Sequence, residues 1–309
     1  MPLIHAASLA LALAASDAST SAASLLHADL AMGAREATVR SVLDAQCSHV
    51  ETVIPDRARF PLAAETEAHL VCDGFTTADG AQFVRGVFVV ADGHLVHIEL
   101  FGDAAPLSRQ AGDALAFGGW TAYPAAQMLV DAADNTVHIV NEDGLHTNLF
   151  AWHNPLLRRE PLAYGEIDVS VPREIRPGTS IDVLRAELDA ACPILQERDI
   201  DPPSLPAQPA TQTQINCFGY VYAGFERKIE FVFGDGTLVL AWILTGEGEA
   251  DRLQAAMDAH FGAPDLAGTD YRFYEGGAVA QRFDKPEVLV IEPQMGADFM
   301  AQLAGHASD

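Results

Sequence analysis

The sequence predicts an α+β fold made of two tandem copies of one unit, each with helices packed on an antiparallel β-sheet. Three observations carry the prediction. The four cysteines form two pairs of equal spacing, Cys47 to Cys72 and Cys192 to Cys217, 25 residues in each case. Short matches recur at a nearly constant offset around those pairs. Within each copy, a stretch of helical apolar spacing precedes alternating runs that break at an Asp-Gly dipeptide, the pattern of a helix followed by a β-hairpin.

The first copy starts at Gly33 and the second at Gly178, and Leu43-Asp44-Ala45 matches Leu188-Asp189-Ala190 at an offset of 145. Past the second cysteine, Phe88-Val-Val-Ala-Asp92-Gly93-His-Leu95 matches Phe231-Val-Phe-Gly-Asp235-Gly236-Thr-Leu238 at 143, and Phe117-Gly118 matches Phe261-Gly262 at 144. Four cysteines allow three pairings. Two copies that fold alike select Cys47 with Cys72 and Cys192 with Cys217 as structural disulfides, each closing a loop worth about 3–4 kcal/mol on the chain-entropy model.

In chain order, Thr38 to Cys47 and Ile181 to Cys192 read as helices, with Val39, Val42 and Leu43, or Ile181, Leu184 and Leu188, on one face. Proline-bearing loops follow, Ile54 to Pro61 and Asp201 to Pro209. Strands are expected over Ala68 to Phe75, Phe83 to Val90 and Leu95 to Phe101, and over Thr213 to Tyr222, Arg227 to Phe233 and Thr237 to Leu244. The last two of each set form a hairpin at Asp92-Gly93 or Asp235-Gly236, where glycine accepts positive φ. A second helix, Leu107 to Phe117 or Asp251 to Phe261, leads into further strands: Gln127 to Leu129, Val137 to Val140 and Leu145 to Trp152, then Tyr271 to Tyr274, Ala278 to Phe283 and Val288 to Ile291. The domain division is a signal peptide at 1–23, a first unit at 24–155, a linker at 156–165, a second unit at 166–300 and a tail at 301–309.

The order of glycine, helix, proline-bearing loop and strands ending in F-x-x-x-D-G-x-L resembles the repeat of the SmpA/OmlA β-barrel-assembly lipoproteins and of the β-lactamase inhibitor protein. It covers Gly33 to Leu100 and Gly178 to Leu244. The resemblance implies helices on one face of an antiparallel sheet and work done by binding protein rather than by catalysis. This chain has no lipobox cysteine, and each unit adds a second helix and strand set.

Composition narrows the function further. Hydrophobic residues make up 49% of 309, enough for two packed cores. Acidic residues number 43 against 18 basic ones, for a formal charge of −25, and Lys228 and Lys285 are the lysines. Such a chain repels phosphate backbones and anionic lipid, which excludes nucleic acid and membrane surfaces as partners. The apolar run after Met1, with small residues at Ala12, Ala14 and Ser16, reads as a secretory signal although no basic residue precedes it. A periplasmic or secreted protein is expected, with no membrane insertion of the mature form.

No local pattern announces a reaction. G-x-S-x-G, G-x-x-x-x-G-K and H-E-x-x-H are absent. Acidic pairs such as Asp199 with Asp201 and Glu247 with Glu249 read as solvated faces, and Trp120, Tyr123, Trp152, Tyr220, Tyr222 and Trp242 as core. His94, His97, His138, His146 and His153 gather in the first unit, against His260 and His306 in the second. Three residues apart in a strand, His94 and His97 point to opposite faces, so these histidines read as surface or hydrogen-bonded groups. No catalytic, cofactor or metal residue is assigned, and no cofactor is expected. The expected function is that of a non-enzymatic scaffold or inhibitor of the cell envelope that binds another envelope or extracellular protein. The alternative is a small-molecule or metal-binding periplasmic protein that uses the histidine-rich first unit.

Overall fold

A computed structural model describes residues 22–306 apart from 57, 59, 60 and 164; residues 1–21, which hold most of the expected signal peptide, lie outside the described residues. The chain divides into two compact units, the second beginning at Gly165. The α+β architecture is present in both, each with one eight-stranded antiparallel sheet.

In the first unit, α1 (Ala22–Leu26) and α2 (Glu36–Gln46) precede β1 (His49–Val53), β2 (Glu67–Thr76), β3 (Gln82–Ala91) and β4 (His94–Gly102). A short α3 (Ala105–Ser108) leads to β5 (Leu115–Phe117), β6 (Trp120–Tyr123), β7 (Met128–Asp131) and β8 (Thr136–Val140). The unit ends in α4 (Glu142–His146) and two 3-10 turns, Leu149–Ala151 and Pro155–Arg158. The sheet order is β1-β2-β3-β4-β8-β7-β6-β5. Two four-stranded meanders thus meet edge to edge where β4 pairs with β8.

The second unit repeats this plan. It has α5 (Ile181–Ala191), β9 (Ile194–Asp199), β10 (Gln212–Tyr222), β11 (Phe225–Gly234) and β12 (Thr237–Leu244). Then come α6 (Ala250–Phe261), β13 (Leu266–Ala267), β14 (Tyr271–Tyr274), β15 (Val279–Arg282), β16 (Glu287–Ile291) and α7 (Pro293–His306). Here β12 pairs with β16.

One face of each sheet is buried by helices. Val39, Val42 and Leu43 of α2 pack with Leu70, Phe88, Ile98 and Leu100 of the first sheet. Leu184 and Leu188 of α5, with Leu253 and Met257 of α6, serve the second. The disulfides Cys47–Cys72 and Cys192–Cys217 tie the end of each leading helix to the second strand, with Cα separations of 5.6 and 5.3 Å. Both Asp-Gly turns place two consecutive residues at positive φ, Asp92 and Gly93 at 47° and 81°, Asp235 and Gly236 at 48° and 73°, as a two-residue primed turn requires. The same contacts recur around them: Glu36 N–H donates to Gly93 O and Ile181 N–H to Gly236 O, both at 2.9 Å. The carboxylates of Asp92 and Asp235 accept from the preceding loop, Asp92 from Ala64, Glu65 and Thr66 and Asp235 from Thr211.

Several expectations fail for local reasons. No helix spans Leu107 to Phe117: α3 stops at Ser108, Gly112 sits at φ 88°, and Phe117 is a strand residue paired with Trp120 across a Gly118-Gly119 turn. The place α6 fills in the second unit is shared by α3 and α1, whose Ala22, Ala23 and Leu26 are fully buried. Ala22 and Ala23, the end of the stretch read as signal peptide, therefore belong to the first core. The second-half register is an offset of 151, Trp120 over Tyr271, and not the 144 that Phe117 over Phe261 suggests. Leu145 to Trp152 is not a strand, because β8 already has β4 and β7 on its two sides and offers no free ladder. Instead Asn141 caps α4, its side chain accepting from Gly144 N–H at 2.7 Å. Polar β1 and β9, at sheet edges, and α7, which runs through residues 293–306, were not foreseen. Leu157, placed in the linker by sequence, is buried against the first unit.

Replacing both cysteines of one pair by alanine removes a loop closure without adding bulk. C47A/C72A is expected to lower stability by about 3–4 kcal/mol in urea unfolding, and a loss below about 1 kcal/mol would mean that packing alone holds α2 to β2.

Candidate metal centre

An antiparallel sheet has two faces, and in the first unit the second face is covered by the chain that follows β8. Residues 142–158 fold back across β3, β4 and β8 as a strap, burying Leu149, Phe150, Asn154 and Leu157. Side chains alternate along each strand, so this face takes His69, His97, Glu99 and His138. Register sets their neighbours: Glu99 pairs directly with His138 across the β4–β8 seam, and His97 pairs with Val140.

The polar groups converge. His97 Nε2 lies 3.1 Å from His138 Nδ1, and the two rings stack at 5.4 Å with planes 8° apart. Trp120 stacks on His138 at 5.1 Å. Glu99 accepts from Asn154 N–H at 2.7 Å and meets His153 Nδ1 at 3.2 Å, while His138 Nε2 stands 3.9 Å from the same carboxylate. Asn154 also donates its amide to His69 Nδ1 at 2.8 Å, so His69 donates from Nε2 to Glu67, 2.6 Å away. Glu67, His69, His97, Glu99, His138 and Asn154 are all nearly or fully buried.

This burial leaves atoms without partners. His97 Nδ1 and His138 Nε2 are buried and make no hydrogen bond. Whichever ring donates in the single imidazole–imidazole bond, one N–H and one lone pair stay unsatisfied, at about 1–3 kcal/mol for each such group. Burial, helped by the neighbouring imidazoles of His69 and His153, pushes the His97 pKa down to about 3. His138 is likewise held well below the ordinary imidazole value by burial. Both rings are neutral, the form that ligates metal. Burial raises the Glu99 pKa despite its hydrogen bonds, and the bond to Glu99 raises that of His153.

Ligand atoms of His97, Glu99 and His138 lie within 4.8 Å of one another. Around a tetrahedral ion bound at 2.0–2.1 Å, ligand atoms sit roughly 3.4 Å apart. The 3.2 Å contact of His153 with Glu99 matches that spacing, and the 3.9 Å gap between His138 Nε2 and Glu99 asks for a shift of well under an ångström. The 3.1 Å contact, by contrast, uses the other nitrogen of His138 and is a hydrogen bond that must open for His97 Nε2 to join the same ion. Two imidazoles and a carboxylate, with a third imidazole on that carboxylate, are donors suited to zinc and its first-row neighbours.

The second unit supplies the comparison. At the same register positions it has Leu240 for His97, Trp242 for Glu99, Leu289 for His138 and Gln214 for His69. That face carries an apolar cluster at these positions, covered by α7 through Met295, Phe299, Met300 and Leu303. The same face also buries charges, in the pairs Lys228–Glu230 and Arg282–Glu287, with Glu230 directly across from Trp242.

Of the histidines singled out by sequence, His97, His138 and His153 come together. His94 is exposed at the start of β4 beside Asp92 O, His146 closes α4, His260 packs on Phe261, and His306 ends α7. Sequence reasoning missed Glu67, His69, Glu99 and Asn154. It also read Glu249 as solvated, whereas Glu249 is buried between Arg227 and Arg252, whose charges outweigh the effect of burial and lower its pKa. Tyr123, Tyr222 and Trp242 are core as expected, and the second sheet face is covered in both units. A cleft of about 530 Å³ beside the strap is lined by His49, Glu51, Asp73, Arg85 and Arg159. Both of its arginines reach one carboxylate, Arg85 on Asp73 at 2.5 Å and Arg159 on Asp73 at 3.6 Å.

No family model, no curated protein and no solved structure matches this chain.

The rim of the second unit makes a pH prediction. Burial pushes Glu287 up to about 7, with the nearby Arg282 lowering it and Glu230 raising it. A carboxyl whose folded pKa is raised stabilises fully below its unfolded value and loses that contribution as pH rises through the folded one. From pH 5 to pH 8 the protein should lose roughly 2–3 kcal/mol through this group. E287Q should flatten that slope in chemical unfolding, and an unchanged slope would remove Glu287 as its source.

Proposed function

We propose that this chain is an exported, non-enzymatic metal-binding protein. Its first unit holds a transition-metal cation of the zinc class on His97, His138 and Glu99, with His153 as the closing ligand. One observation carries the reading: His138 Nε2, buried and without a hydrogen-bond partner, faces the buried carboxylate of Glu99 at 3.9 Å, and His97 Nδ1 beside it is also buried and unpartnered, at positions where the second copy of the fold has leucine and tryptophan. The fold is built without these groups, so architecture does not require them.

Export is supported by the leader-like N-terminus and by two disulfides suited to an oxidising compartment. The sequence carries no G-x-S-x-G, G-x-x-x-x-G-K or H-E-x-x-H motif, and its four cysteines are in disulfides, which favours binding over catalysis. The likeness to the β-lactamase inhibitor and SmpA/OmlA repeat agrees with a binding role but contributes no ligand residue.

Protein purified without chelator is expected to carry about one zinc-class ion per chain, and metal-free protein to take up Zn²⁺ in a calorimetric titration. Excess zinc at 100 times Kd should stabilise the wild type by about 2.7 kcal/mol. H97L and H138L, which install the leucines of the second copy, should fold and gain nothing from zinc. A metal ratio near zero with no heat of binding would reject the reading and leave a purely structural hydrogen-bond network.

A further inference from the structure

Resting on that reading, the structure also assigns a way in. His97, Glu99 and His138 have no solvent exposure, so an ion must pass a neighbouring group to reach them. His153 is the half-exposed member of the cluster, its side chain 37% accessible, and its two nitrogens face different ways. Nδ1 contacts Glu99, whereas Nε2 lies 3.9 Å from Asp134 Oδ2. Asp131, Asp134 and His153 form a second group whose ligand atoms lie within 4.8 Å of one another.

Asp131 and Asp134 are held by their own turn, Asp131 Oδ1 accepting from Ala133 and Asp134 N–H at 2.9 and 3.3 Å. An acidic turn of this kind is common without any ion. Here it differs because its histidine also touches the carboxylate of a buried group with unpartnered nitrogens. Arg158 then stands in the path, 3.0 Å from Asp134 Oδ2 and 52% accessible. Its guanidinium neutralises the outer carboxylate and sets a positive charge where a cation would dock.

We infer that the ion is taken up first at Asp134, Asp131 and His153 and passed inward by His153 to His97, Glu99 and His138, and that the Arg158–Asp134 ion pair must open for this to happen. The outer group is a station and not the resting site: it is half-exposed, and one of its carboxylates is already paired with arginine.

Zn²⁺ uptake by metal-free protein can be followed by stopped-flow tryptophan fluorescence, because Trp120 stacks on His138. Removing the guanidinium in R158Q should speed association by about three- to tenfold, and removing the outer charge in D134N should slow it by a similar factor, the range that local charge exerts on association rates. Both positions are exposed enough for the variants to fold, which circular dichroism confirms, and both variants should still bind one Zn²⁺ per chain at equilibrium. Rates within about twofold of wild type in both variants, with stoichiometry kept, would overturn the access route and leave the buried site standing. Loss of the equilibrium site in D134N would make Asp134 a permanent ligand and likewise overturn it. Failure of the wild type to take up zinc would overturn the route together with the site it serves.

Discussion

The pairing of β4 with β8, and of β12 with β16, is the constraint on which each unit depends. Each half-unit is a four-stranded meander whose inner edge would otherwise present a row of unpaired backbone donors and acceptors. Joining the meanders edge to edge gives one wide sheet that helices cover on one side. The seam also brings together residues far apart in sequence. Glu99 meets His138 because β5, β6 and β7 are laid out beyond β8 before the chain returns to the middle of the sheet. A site on this seam is assembled by topology, with no short motif to mark it.

A wide sheet raises a second demand, since its other face must also leave water. The two units meet it differently. The second lays α7 across Leu240, Trp242 and Leu289, and each such side chain contributes about 1.5–3 kcal/mol on burial. The first lays a strap of turns across His97, Glu99 and His138, forgoes that gain and leaves polar atoms unsatisfied. Two solutions on one scaffold, several kcal/mol apart in expected stability, separate what the fold requires from what the first unit adds. Buried polar positions in one copy of a duplicated fold that are apolar in the other are where function is to be sought.

Much of the fold was legible because it is local. The spacing of Val39, Val42 and Leu43 specifies a helix, Asp92-Gly93 specifies a turn, and the duplicated cysteine spacing specifies the disulfides without any knowledge of tertiary structure. The site was less legible. The 143 offset already sets His97 against Leu240 and Glu99 against Trp242, a contrast within reach of the sequence. His138 was hidden because its counterpart Leu289 lies at an offset of 151, and matching Phe117 to Phe261 concealed the change. That match equates a strand residue with the last residue of a helix, and Gly112 with its left-handed backbone is the local reason the helix is missing. The strap was misread because Leu145 to Trp152 has strand-like apolarity, and only the occupied edges of β8 exclude it from the sheet.

The electrostatics of the first unit point to the sign of what it binds. His97 and His138 are neutral because burial penalises their protonation. Glu99 is pushed toward its protonated form by the same burial, and His153 is the one imidazole of the group favoured as a cation. The cluster therefore sets neutral imidazoles beside a buried carboxylate whose cationic neighbour at contact is the half-exposed His153, in a chain of charge −25. An anion would face Glu99 with no guanidinium or ammonium at contact, and a neutral molecule would need more room than stacked rings 5.4 Å apart leave. A metal ion of radius below an ångström meets both conditions, since it adds positive charge at Glu99 and can accept the imidazole lone pair that no proton donor reaches.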